Sequence, residues 1–224
     1  MRVFSLLRDC GFLARVIYDI GAANGTWSAL VSEVFPDATF HLFEPLANIH
    51  QDFRNYLAFH MQNHPHFSLH TVALGACEGE VEMRLHEDGY SSTIFDMGTH
   101  PEYQRRIKVP QYTLDGYIAR ANIPLPDIIK LDTQGAERVI LKESSACLQH
   151  ASLVFAETWL TRGYGPETPL LPELMELLSA SGFSLADLGH RFYDGHHALY
   201  GCDAFFLKTE LLRRLASSMP AYSW

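Results

Sequence analysis

Two hydrophobic periods alternate along the chain. Val16-Ile17-Tyr18-Asp19-Ile20 is a short β-branched and aromatic run, the mark of a buried strand. It breaks into Gly21-Ala22-Ala23-Asn24-Gly25, a turn of residues that tolerate positive φ. Trp27, Leu30, Val31, Val34 and Phe35 then recur at the spacing of one helical face. The alternation continues, with further strands expected at 39–43, 67–74, 107–112, 128–131 and 153–156 and a closing pair at 183–188 and 203–207. Between them, Ile49, Phe53, Tyr56 and Leu57 make one helical stripe. Thr113 caps another helix, in which Leu114, Tyr117, Ile118 and Ala121 face inward and which Pro124 and Pro126 stop. Gly135 opens a third helix, Pro172 sits in the first turn of a fourth that Gly182 closes, and Thr209 caps a last one. Residues 79–85 alternate Val81, Met83 and Leu85 with charged positions, as an antiparallel or edge strand does. Residues 1–13 read as a short amphipathic helix, either a lid or, the stronger reading, packing against the sheet.

Strands alternating with helices predict an α/β fold, a mostly parallel sheet with helices on both faces. At 224 residues one domain over 1–224 is expected, with a lead-in helix (1–14), a core (15–208) and a C-terminal helix and tail (209–224). Hydrophobic residues make up 47% and charged residues 19%, so a disordered chain is excluded. A formal net charge of −9 argues against a nucleic-acid partner, which needs a basic face. Cys10, Cys77, Cys147 and Cys202 are far apart and read as buried free thiols of a reducing compartment. No apolar run spans a bilayer and no signal-peptide pattern follows Met1, so the chain reads as cytoplasmic, with no membrane span.

In a doubly wound sheet, ligands sit beyond the carboxyl ends of the strands. Asp19, Glu44, Asp132 and Glu157 all fall at such ends, and four acids repel unless a cation or hydrogen bonds lie among them. Gly21 and Gly25 allow close approach of a ligand, with helix N-terminal amides facing it. Glu44, about twenty residues beyond the turn, suits a ribose diol, whose two hydroxyls one carboxylate can accept. The turn lacks the G-x-G-x-x-G of pyrophosphate binders. That favours S-adenosyl-L-methionine over a dinucleotide, with the methionine carboxylate at the helix N-terminus.

Three motifs carry a resemblance. Asp19-Ile-Gly-Ala-Ala-Asn-Gly-Thr-Trp-Ser28, Phe43-Glu-Pro45 and Asp127-Ile-Ile-Lys-Leu-Asp-Thr-Gln-Gly-Ala-Glu137 are similar to the FkbM family of S-adenosylmethionine-dependent methyltransferases. The family's pattern is approximately D-x-G-A-N-x-G-x-x-S, F-E-P and I-K-x-D-x-x-G-x-E, and the likeness runs from about Val16 to Lys208. Ala23 departs from it, standing where the family usually has Asn. The resemblance implies a class I methyltransferase fold, Rossmann-like and seven-stranded, with its terminal strand inserted antiparallel. It implies cofactor contacts from Asp19, Gly21, Asn24, Gly25, Ser28, Glu44, Pro45 and Asp132, from Val72 and Ala73 near the adenine, and from the serine-containing loop 88–93, with Ser91 and Ser92, to cofactor or substrate, for which a solvated turn is an equally good reading.

Methyl transfer to a hydroxyl needs positioning and a general base. Asp132, at the tip of a central strand, is the first choice. Glu137 either orients substrate or supports the loop, with favourable helix-dipole placement as its ordinary explanation. His196, like its neighbour His197, lies in a polar insert and is a candidate base, since an imidazole is the usual side chain for proton exchange near neutral pH, though a loop histidine is more often solvated. His60, His64, His66 and His70 lack metal-ligand spacing and read as surface. Oxygen ligands such as Asp132 with Glu137 or Glu157 do not by themselves establish a metal, so none is assigned. Trp159, Arg162 and Tyr164 suit a sugar or other polyhydroxyl acceptor, and equally a packed connector or a contact between two copies, which keeps a homo-oligomer open. The expected activity is O-methylation of a small molecule, glycan or natural-product intermediate. The alternatives are N-methylation, an NAD-linked oxidoreductase, or a non-catalytic S-adenosylmethionine-binding module.

Overall fold

A computed structural model describes residues 1–218. The predicted tail beyond residue 218 lies outside the described residues. Among the described residues, ten strands and eight α-helices alternate as the hydrophobic periods require. The main sheet takes β1 (Val16–Ile20), β2 (Thr39–Phe43), β3 (Phe67–His70), β7 (Ile128–Leu131), β8 (Leu153–Trp159), β9 (Phe183–Tyr193) and β10 (Leu199–Lys208), in the order β3-β2-β1-β7-β8-β10-β9. β1, β2, β3, β7 and β8 pair in parallel, and β10 runs antiparallel between β8 and β9. The order reverses between β1 and β7, where a doubly wound sheet opens a crevice for ligand.

One face is covered by α1 (Arg2–Asp9), α2 (Thr26–Ser32), α3 (Gln51–Asn63) and α8 (Thr209–Ser218). Phe4 of α1 is buried edge-on against Trp27, Phe155 and Phe205, so this helix packs on the sheet rather than closing over a ligand. The other face takes α4 (Leu114–Ala121), α5 (Glu137–Lys142), α6 (Ser145–His150) and α7 (Leu171–Ala180). Among the described residues, no helix is long and apolar enough to cross a membrane.

Several expected elements take a different form. The predicted strand 67–74 divides: β3 ends at His70, and β4 (Ala73–Leu74) joins β5 (Gly79–Leu85) and β6 (Arg105–Tyr112) in a separate three-stranded sheet ordered β4-β6-β5. Its fringe position lets it frame the ligand edge. The α2 stripe is shorter than its periodicity: the helix ends at Ser32, Leu30 is exposed, and Val34 and Phe35 reach the core from the following turn. On α3 the buried stripe is Phe53, Leu57 and His60, while Ile49 and Tyr56 are exposed. Asn122, in the left-handed region at φ 52°, ends α4 before Pro124 is reached. The insert 189–201 is largely hairpin, because β9 and β10 run on past the main sheet. Cys147 and Cys202 are buried, but Cys10 and Cys77 are exposed. The histidines near β3 are packed rather than superficial. His64 stacks on Phe67, and His70 stacks on Phe43 with His41 3.1 Å away. Burial and then His41 hold the His70 imidazole down to about 4.

Candidate active site

β1 ends in a backbone bend that only glycine can start. Gly21 has φ +76°, and a Cβ there would lie 1.9 Å from the Asp132 carbonyl oxygen, so the tips of β1 and β7 touch backbone to backbone. Ala23 and Gly25 continue the bend at φ +48° and +80°. The amides of this turn are turned inward, contrary to expectation. Gly21 and Ala22 donate to the Phe43 carbonyl, Ala23 donates to Glu44 Oε2 at 2.8 Å, and Gly25 donates to Ala22. The Thr26 amide is held by the Asn24 side chain. The bend is therefore a wall built on β2, with the amides of Gly21, Ala22, Ala23, Gly25 and Thr26 already satisfied within the protein.

Beneath the wall lies a cation that sequence reasoning missed. Lys130, in the middle of β7, is buried with its Nζ 2.9 Å from Asp19 Oδ1 and 3.6 Å from Asp132 Oδ2, and it donates to the Gly21 carbonyl at 2.5 Å. Burial works against its charge, but Asp19 and Asp132 outweigh it and hold the ammonium above its ordinary value. Asp19 also accepts from Ser28 Oγ at 2.7 Å, and both are fully buried. The one available signal was a lysine inside the apolar strand Ile128-Ile-Lys-Leu131, since such a residue is buried only when paired.

A cavity of about 360 Å³ opens above these strand tips. Of the expected site residues it is lined by Gly21, Glu44, Pro45, Val72, Ala73, Ser91, Ser92, Asp132, Trp159 and Tyr164. Asp19, Asn24, Gly25, Ser28, Glu137, Arg162 and His196 lie outside its lining. Asp19 and Ser28 sit under the floor, while Asn24 and Gly25 shape the bend. Glu137 is fully buried and accepts from the Thr133 amide and hydroxyl, both at 2.9 Å, so it braces the loop after β7. Arg162 is drawn away to Glu173, at 2.6 Å, and to the Thr168 carbonyl. His196 occupies the exposed turn of the β9–β10 hairpin, its amide held by Asp194.

Glu44 is almost fully buried at one end of the cavity, and its other oxygen, Oε1, accepts from the Leu46 amide at 2.8 Å. Burial pushes its carboxyl up to about 7 despite those two amides. Each carboxylate oxygen keeps a second lone pair for a hydroxyl donor. The loop 88–93 forms the roof rather than a solvated turn. Ring contact of Tyr90 with Phe53 at 4.9 Å ties it to α3, the Tyr103 hydroxyl donates to the Ser91 carbonyl, and Thr93 Oγ1 donates to the Gln134 carbonyl.

The far end is a carboxyl network that periodicity could not reveal. Gln134 Nε2 donates to Asp132 Oδ1 at 2.8 Å and to Glu157 Oε2 at 2.9 Å, and the Tyr164 hydroxyl donates to Gln134 Oε1. Gln134 itself sits at φ 55°, a strained position for a residue with a side chain. Glu157 lies within β8 rather than at its end, directly across from Asp203 of β10. Burial, then the charges of Asp132 and Glu137, push Glu157 up to about 10. Asp203 rises to about 6, by burial and then Asp132. Beside them stands an aromatic wall: Trp159 stacks on Tyr200 at 5.9 Å with an 18° interplanar angle and meets Tyr164 edge-on.

Comparison with known proteins gives the family and the fold. The family model described as the methyltransferase FkbM domain matches residues 19–185. The chain belongs to the FkbM methyltransferase family. The FkbM methyltransferase of Methylobacillus flagellatus superposes with a TM-score of 0.57 at 15% identity, over 91% of this chain and 47% of that one. The chain thus spans about half the length of that relative. Magnesium protoporphyrin IX methyltransferase from Synechocystis, solved with bound S-adenosylmethionine, superposes with a TM-score of 0.52 at 12% identity, over 93% of this chain and 77% of that one. These likenesses give the fold, that of class I methyltransferases. No curated protein matches the chain.

Proposed function

We propose that this FkbM-family protein is an S-adenosylmethionine-dependent O-methyltransferase whose acceptor is a hydroxyl of a small molecule or glycan. The observation that carries the reading is Glu44: a carboxylate at the tip of β2, fixed by two backbone amides and facing a cavity beside the Gly21 bend. That arrangement suits a ribose diol, and the cavity edge formed by Val72, Ala73 and Pro45 is apolar enough for an adenine face. The bound cofactor supplies a methyl group on a positively charged sulfur, ready for displacement.

The chain's own residues do the rest. Gly21 and Glu44 orient the donor, and the roof of Tyr90, Ser91 and Ser92 excludes water. Trp159, Tyr164 and Tyr200 offer ring faces to a sugar or other cyclic acceptor. Asp132 receives the hydroxyl proton as the oxygen takes the methyl group. Positioning of this kind supplies roughly 7–11 kcal/mol of barrier lowering.

The test is incubation of the protein with labelled S-adenosylmethionine and a panel of glycans and hydroxylated small molecules, followed by mass analysis. A gain of one methyl on oxygen supports the reading. Binding without transfer across the panel would favour a non-catalytic module, and transfer to nitrogen would correct the acceptor class.

A further inference from the structure

The carboxyl network at the far end of the cavity holds more acid than its surroundings can neutralise. Asp132 and Glu157 both line the cavity, and a single nitrogen, Gln134 Nε2, donates one hydrogen to each. Most of the charge that the surrounding elements add is of the same sign. Asp203 faces Glu157 from β10, Glu137 stands behind on α5, and from β9 the His190 backbone hydrogen-bonds to Asp203 while its imidazole offsets part of the Asp203 charge. Tyr164 reaches the pair only through Gln134. Asp19 and Glu44 lie further along the same edge. Lys130 donates to the Gly21 carbonyl, pairs more closely with Asp19 than with Asp132, and lies 3.6 Å from Asp132. Two carboxylates so close cannot both stay ionised without a further cation.

We infer that Asp132 and Glu157 share one proton in the free protein, and that the pair releases it when a sulfonium cation occupies the cavity. The inference rests on the reading of the cavity as an S-adenosylmethionine site. Burial and the neighbouring acids, which hold Glu157 up to about 10, agree with a protonated pair at neutral pH. A positive sulfur stabilises the doubly ionised pair, while the neutral thioether of S-adenosylhomocysteine does not. The proton balance then closes over one turnover. The pair loses a proton to solvent as the donor binds. The acceptor oxygen bonds to the methyl carbon, the electrons of the broken carbon–sulfur bond stay on sulfur, and the hydroxyl proton passes to the pair. The product complex holds a neutral thioether and a singly protonated pair, the starting state. Gln134 is the positioning residue that keeps the two carboxyls together.

Calorimetry tests this without turnover. Titrating the full chain at pH 7.5 with S-adenosylmethionine, and separately with S-adenosylhomocysteine, in buffers of different ionisation enthalpy counts the protons exchanged. The expected result is about one more proton released with the sulfonium than with the thioether. Glu157→Gln, which cannot yield a proton, is expected to bring that difference close to zero while both ligands still bind. Equal proton counts for the two ligands in the wild-type protein would overturn the shared proton and leave the cofactor site standing. Failure of both ligands to bind would remove the cofactor reading and this inference with it. The wild-type comparison stands even if Glu157→Gln does not fold.

Discussion

The two ends of the cavity are built from the same residue types but by opposite means. At the β2 end, Glu44 is pinned by the amides of Ala23 and Leu46, and the backbone around it is closed on itself. At the β7–β8 end, Asp132 and Glu157 are tied through side chains alone, by Gln134 and Tyr164, with little charge to offset them. In the proposed reading the first end, held by backbone hydrogen bonds, grips the donor. The second is electrostatically loaded, and groups with strongly shifted proton affinity are where proton transfer is expected. A methyl transferase needs both: a grip that does not change and a site that exchanges a proton.

The largest expected effect lies where the two ends meet. Lys130→Met strands Asp19, which is fully buried, and should cost about 3–5 kcal/mol of stability by urea denaturation. Adding Asp19→Leu should recover much of that, since a buried pair is often replaceable by apolar groups. No recovery would mean that Lys130 acts chiefly through the Gly21 carbonyl. Gly21→Ala comes next. Its Cβ would collide with the Asp132 carbonyl at 1.9 Å in a left-handed conformation, for a loss of about 3 kcal/mol. A loss under about 1 kcal/mol would show that the strand tips can part.

Substitutions at the two ends should separate in kinetics. Asp132→Asn is expected to lower kcat by about 10²–10³-fold, as loss of a general base does, with little change in the affinity for the neutral thioether S-adenosylhomocysteine. Glu44→Gln should weaken donor binding by about tenfold and leave kcat nearly unchanged. The contrast between the ends dissolves if the two variants give the same pattern.

The smallest effect is in the pH dependence of stability. Glu157 keeps its proton in the folded protein up to about 10 but loses it near 4.5 when unfolded, so stability falls as pH rises through that window. Glu44 adds a falling slope up to about 7. His70, held down to about 4, opposes both below its ordinary 6.5. From pH 7 to about 8.5 Glu157 stands clear of the other two, with a slope of at most about 1.4 kcal/mol per pH unit. Urea midpoints should decline across that range in the wild-type protein and stay level in Glu157→Gln. A matching decline in both would assign the slope elsewhere.

The two ends also differ in how far the sequence discloses them. The Gly21 bend and Glu44 were legible because backbone conformation and the two-strand spacing are local properties, written as glycines and an acid at fixed separation. The direction of the bend's amides was not, because they are satisfied by the Phe43 carbonyl and Glu44 of the next strand. At the other end, Asp132 was visible as a strand tip, but its partners come from separate segments. Gln134 stood as an ordinary loop residue, and Glu157 took its meaning only when β10 placed Asp203 opposite it. Four acids at one edge raised the question of a neutralising group, and Lys130 answers it for Asp19. The three-stranded side sheet escaped periodicity because β4 is two residues long and continuous in pattern with β3.

A crystal structure of the protein with S-adenosylhomocysteine tests the central claim most directly. The account predicts both ribose hydroxyls on the Glu44 carboxylate and the sulfur beside Asp132 and Glu157. A ligand bound elsewhere, or a ribose that leaves Glu44 untouched, would contradict it.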